Sequence, residues 1–229
     1  MIRKTIAFTL AETLIVMGII GVVSALTLPN LNSSTGEKEK VAKVKKIYQN
    51  LDDALGRAQA VYGPYDEWFQ NDKTIQQKMI RFGERITEFM KISRKNTVYP
   101  KTDYCSYGRD GNSLSFTNFN SEGGYYYTLA DGMEIMTYND NMIFVDIDGY
   151  RKGRSVDGED IFWFQVVNNR LIPFREDNYY DFDCFGQNGG DGCAVWVIRN
   201  DNMDYLKADS NGKCPNGKIL NMTTNISCK

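Results

Sequence analysis

The chain has 229 residues, with 27 basic and 29 acidic side chains and a net charge of −2. That balance gives no electrostatic footprint for nucleic acid. Histidine is absent, which removes the commonest general base and the commonest metal ligand, so zinc hydrolysis and Ser-His or Cys-His nucleophilic catalysis are disfavoured and no enzyme is expected.

The first element is Phe8 to Pro29, FTLAETLIVMGIIGVVSALTLP, an almost wholly apolar stretch with one carboxylate, Glu12, near its start. As a helix rising 1.5 Å per residue it is roughly 33 Å long, enough to cross a bilayer. Arg3 and Lys4 precede it, and positive residues there predict a cytoplasmic N-terminus and export of everything downstream. A carboxylate inside a span costs about 2.5–3.5 kcal/mol at the centre and marks a functional site with a partner to be named. Residues 5 to 36 contain no Lys or Arg. A terminal amine created by cleavage just before Phe8, on this chain or a neighbour, would serve.

The run Ala7-Phe8-Thr9-Leu10-Ala11-Glu12, followed by an apolar helix containing Pro29, resembles the N-terminus of type IV pilins and type II secretion pseudopilins. The resemblance covers about 25 residues and implies a set of roles. A seven-residue basic leader is cut between Ala7 and Phe8 by a membrane prepilin peptidase, which also N-methylates Phe8. Glu12 neutralises the terminal amine of an adjoining subunit, and Pro29 occupies the position of a helix-kinking proline. The implied partners are other pilin subunits, the peptidase/methyltransferase, an assembly platform with its ATPase, and the membrane. Ala7 departs from the glycine usual before the cut. Two plainer readings stand beside this one. One is a secretory signal cut near Val23-Ser24-Ala25; the other is a simple membrane anchor whose Glu12 reaches the interface.

Residues 30 to 36, NLNSSTG, predict a kink or short interruption, with Ser33, Ser34 and Thr35 as caps for a new helix from Glu37. From there to Val61, Val41, Val44, Tyr48, Leu51, Leu55 and Ala58 recur at helical spacing. Lys40, Lys43 and Lys46 fall on another face, read as solvated or as touching lipid heads or a neighbouring subunit. Gly63-Pro64 ends the helix. A second amphipathic helix is predicted from Asn71 to Ile92, with Trp68 and Phe69 beginning its packing on the first.

After Pro100 short alternating runs predict an antiparallel meander of about four strands. Tyr125–Ala130 and Met133–Tyr138 form a hairpin on Asp131-Gly132. Asn141–Asp148 is the third strand. Ile161–Val167 is the fourth, turning at Asn168-Asn169, with Leu171–Phe174 extending or returning from it. The run Ala194 to Ile198 fits a strand or a helix equally. Tyr104, Tyr107, Tyr125, Tyr126, Tyr127, Tyr179 and Tyr180 fit either a half-buried sheet or a binding surface for sugar or peptide.

The acids Asp146, Asp148, Asp157, Glu159 and Asp160 lie in one Gly-containing stretch, as calcium ligands do, although Arg151, Lys152 and Arg154 offer simpler pairing. A looser set is Glu176, Asp177, Asp181, Asp183 and Asp191. Calcium is the one cofactor this leaves open. Of five cysteines, Cys184–Cys193 and Cys214–Cys228 are the preferred pairs in an exported chain, and Cys105 is either free or displaces one of them. Such disulfides would replace a core that the tail lacks. The expected fold is α+β: a long transmembrane-plus-amphipathic N-terminal helix packed on a small antiparallel sheet headpiece, with a disulfide-stabilised C-terminal region. The segments are 1–7 leader, 8–29 membrane and assembly helix, 30–62 amphipathic spine, and 63–229 extracytoplasmic headpiece.

Overall fold

A computed structural model describes residues 10–96, 106–107, 113–114, 126–138, 140–149, 155–177, 184–185 and 190–229; within the first helix the side chains of 24–35 are outside the description. The chain divides into two compact units, Met1–Glu39 and Lys40–Lys229.

Helix α1 runs Leu10–Tyr62. It is continuous through residues 30–36, where a kink or a short interruption was expected, so the interruption is absent. The physical reason lies in the two glycines. Gly36 is helical, whereas Gly63 takes φ 83° and donates its N–H to Gln59 O at 3.0 Å, so the left-handed cap that stops a helix comes there. Inside the helix, Asn and Ser each cost only about half a kcal/mol relative to Ala. Trp68 Nε1–H donates to Gly63 O at 2.8 Å, tying the helix end to the next turn.

Helix α2 spans Ile75–Thr87, shorter than expected. Thr74 and Gln77 form a capping box, with Gln77 N–H donating to Thr74 Oγ1 at 3.2 Å and Thr74 N–H donating to Gln77 Oε1 at 3.3 Å. Strand β1, Ile92–Asn96, follows directly, at the end of the stretch read as helical.

The main sheet has six antiparallel strands in the order β1-β4-β5-β6-β7-β8. They are β1, β4 (Tyr126–Leu129), β5 (Glu134–Tyr138), β6 (Met142–Asp146), β7 (Ile161–Val167) and β8 (Arg170–Pro173). Strands β2 (Ser106–Tyr107) and β3 (Ser113–Leu114) form a separate pair. The β4–β5 loop holds four residues, Ala130-Asp131-Gly132-Met133, with Gly132 at φ 88° and Leu129 N–H donating to Met133 O at 2.8 Å. The tight primed turn lies instead at Asn168-Asn169, φ 50° and 62°, between paired Val167 and Arg170.

Alternation along the strands sorts the side chains. Ile135, Ile143, Val145, Phe162, Phe164, Val166 and Leu171 join the main core with Val41, Val44, Ile47, Leu51, Ala54, Leu55 and Ala58 of α1. Tyr48 stacks on Phe164 at 5.7 Å between centroids. The opposite face carries a smaller cluster of Tyr126, Met136, Phe144 and Ile161. Each fully buried aliphatic side chain contributes about 1.5–3 kcal/mol, so burial of the α1 stripe in this core stabilises the unit.

The tail builds a core after all. Ala194–Ile198 lies in helix α3, Cys193–Asn200, and Trp196 is fully buried with its ring edge-on to Phe185 and Tyr205. Cys184, Cys193, Met203, Cys214 and Leu220 belong to the same cluster as the sheet. The disulfides Cys184–Cys193 and Cys214–Cys228 are formed as expected and fasten segments that also pack. Cys105 lies outside the described residues.

Candidate assembly segment

Residues Leu10 to Val23 of α1 form a sleeve of apolar side chains exposed on every side. Leu10 is 80% exposed, Met17 70%, Leu14 66% and Val22 62%, and Ile15, Val16, Ile19, Ile20 and Val23 are all at least half exposed. A Cβ added at Gly18 or Gly21 would meet nothing within 4 Å. Glu12 is the one charged side chain in this segment. Thr13 Oγ1–H donates to Leu10 O at 2.8 Å, so its hydroxyl adds little polarity to the sleeve.

Among the described residues no helix is long and apolar enough to cross a membrane. The expected membrane-spanning helix is therefore not supported. Ala7 and Phe8 lie outside the described residues. Pro29 has helical backbone within α1.

Four of the five acids considered for calcium, Asp146, Asp157, Glu159 and Asp160, accept from protein donors. Asp146 accepts from the N–H groups of Asp148 and Gly149 and from Ser155 Oγ–H. Asp157 accepts from Trp163 Nε1–H at 3.3 Å. Glu159 and Asp160 both accept from Lys40 Nζ, at 3.1 and 2.8 Å. Among the described residues no group of three or more metal-ligating side chains converges. The pairing cation is thus Lys40 of α1, while Arg151, Lys152 and Arg154 lie outside the described residues. Of the looser acidic set, Glu176 pairs with Arg199 and Asp191 with Arg175, and Asp177 accepts from Gln165. Asp181 and Asp183 are outside the description.

Lysines of α1 pair with acids far away in sequence while Lys46 stays exposed, as the solvated reading expects. Besides Lys40, Lys45 pairs with Asp201 at 2.6 Å and Lys46 with Asp131 at 2.7 Å. Spacing alone could not find these pairs, because each partner is far away in sequence. Tyr126 and Tyr127 are buried in the sheet, as the plainer reading of the tyrosines has it. Tyr104, Tyr125, Tyr179 and Tyr180 are outside the described residues, as is the side chain of Tyr107.

No protein-family model, no curated protein and no solved structure matches this chain.

Proposed function

We propose that the chain is a structural subunit of a type IV pilus or a type II secretion-type filament, a pilin or pseudopilin, assembled from the membrane through its N-terminal helix. The observation that carries the reading is the exposed apolar sleeve from Leu10 to Val23, whose one charged side chain is Glu12. A helix apolar on all faces is stable only when something apolar covers it. Lipid covers it before assembly, with the N-terminus in the cytoplasm and the headpiece outside, and the helices of other copies cover it afterwards. In this reading the peptidase cuts after Ala7 and methylates Phe8. The new amine of one copy then meets Glu12 of the next, where low dielectric strengthens the charge pair and fixes the axial register. The chain itself does no catalysis. An assembly platform and its ATPase supply the work.

The alternative is a membrane-anchored extracytoplasmic binding protein that never polymerises. Glu12→Ala separates the two. It leaves the chain in the membrane fraction under either reading and abolishes its recovery in sheared filaments under the first. Filaments of normal yield from Glu12→Ala would overturn the assembly reading.

A further inference from the structure

Charge is divided unevenly across the headpiece. Residues 73–95, which hold α2 and β1, carry seven basic and two acidic side chains. Residues 176–209, which follow β8 and hold α3, carry eight acidic and two basic ones. Among the described residues β1 and β8 are the two edges of the main sheet, and α3 packs on β7 and β8, so the two stretches lie at opposite edges. Lys95 of β1 pairs with Glu84 of α2 at 2.7 Å, which joins α2 and β1 into one basic face.

Internal pairing leaves that face positive. Asp72 accepts from Arg81 Nε and Nη2 at 2.5 and 2.8 Å, Glu84 is taken by Lys95, and Glu88 accepts from Tyr62 Oη–H. Among the described residues none of Arg85, Lys91 and Arg94 forms an ion pair. The Arg85 guanidinium lies over the Tyr62 and Trp68 rings, 4.6 and 5.2 Å from their centroids, and its Nη1 meets no acceptor there. The rings hold its position without neutralising it. Val61 next to Tyr62 is 62% exposed. An arginine fixed on tyrosine and tryptophan beside exposed apolar surface is the composition of an interface anchor. At the other edge Asp177 is exposed and accepts from the neutral Gln165 amide at 2.9 Å. Asp52 is exposed one helical turn beyond Tyr48, whose hydroxyl donates to Leu171 O of β8 at 3.3 Å, and it forms no ion pair among the described residues. Arg170, at the other end of β8, is an exposed cation on that side.

We propose that the α2–β1 face of one copy, anchored by Arg85, docks the acidic β8–α3 edge of a second copy of this chain. The chain supplies both halves of the charge complementarity. Because the two surfaces differ, the contact is heterologous and repeats from copy to copy instead of pairing a patch with itself. A lipid surface or a free polyanion would meet the basic face and leave the acidic edge unmet. The inference rests on the assembly reading and deepens it: the sleeves bring copies together, and this contact sets how neighbouring headpieces face each other.

Carbodiimide joins a lysine amine to a carboxylate in contact with it, and so tests the contact on the full chain. An equal mixture of unlabelled and heavy-isotope-labelled chains is reconstituted in vesicles of zwitterionic lipid and cross-linked. Mixed-isotope peptides joining Lys91 of one copy to Asp177, or to another acid of residues 176–209, in the other copy are expected. Their yield should fall at least about fivefold in Arg85→Gln and in Arg94→Glu, and likewise in about 0.5 M salt. An unchanged melting temperature certifies each variant, and Arg94→Glu, at an exposed position, serves even where Arg85→Gln is destabilised. Absence of mixed-isotope cross-links between the two stretches overturns the proposal. So does a yield that Arg94→Glu and salt both leave unchanged. Sheared filaments without these cross-links would sink this contact alone, whereas the cross-links without filaments would sink only the assembly reading.

Discussion

Lys40 Nζ lies 2.8 Å from Asp160 Oδ1, across 120 positions of sequence, and joins α1 to the turn that enters β7. Asp160 is 8% exposed, so removing its partner strands a carboxylate in a poorly solvated place. Lys40→Met is expected to lower stability by about 1–3 kcal/mol. The exposed pair Arg57–Asp53, with both side chains more than half exposed, gives the comparison, and Arg57→Met should cost about 0.5 kcal/mol or less. Thermal unfolding of the two variants in the same detergent measures the difference.

Gly190 leaves no room for a side chain. A Cβ there would lie 2.3 Å from both the carbonyl carbon and the oxygen of Asp157. Backbone atoms, unlike a flexible side-chain end, cannot step aside. Gly190→Ala should therefore cost about 3 kcal/mol, at the upper end for overpacking. Gly217→Ala meets nothing within 4 Å but sits at φ 84°, so it should cost only the left-handed strain of about 1–2 kcal/mol. Melting temperatures of the pair rank the two effects.

Asp204 fastens the C-terminus. Its carboxylate accepts from Ser227 Oγ–H, from Cys228 N–H at 2.9 Å and from Lys207 Nζ, next to the Cys214–Cys228 disulfide. Burial pushes its carboxyl up, but the bonds from Lys207, Ser227 and Cys228 outweigh that and hold it below 3.8. The folded value is thus lower than the unfolded one. Its stabilisation is present above pH 3.8 and is lost as pH falls through the folded value. Stability measured from pH 7 downward should fall in that acid window, and Asp204→Asn should flatten the fall. Replacing Cys214 and Cys228 by Ala should cost about 3 kcal/mol. Combined with Asp204→Asn the loss should be non-additive by at least about 0.5 kcal/mol, because both changes release the same tail.

Much of this architecture can be read from local pattern. The α1 stripe, the β4 to β8 meander and both disulfides follow from spacing and turn residues. What escaped has identifiable causes. Strand β1 reads Ile-Ser-Arg-Lys-Asn; it is the edge strand among the described residues, and its charges, suited to an edge, erase the alternation that marks a strand. The run Ala194–Ile198 is β-branched and apolar. It becomes a helix because Trp196 packs among Phe185 and Tyr205 and because Asp201 takes the left-handed cap at φ 56°. The lysine pairs of α1 depend on which distant segments meet. Glu12 stands out in sequence because it is the one charge in an apolar run, yet its proposed partner belongs to another copy.

The mass of the N-terminal peptide of the membrane-purified chain tests the central claim most directly. Removal of residues 1–7 with one added methyl group on Phe8 is the expected result. An intact N-terminus at Met1, or a first residue other than Phe8, would contradict the account, because the amine that Glu12 is proposed to meet would not exist.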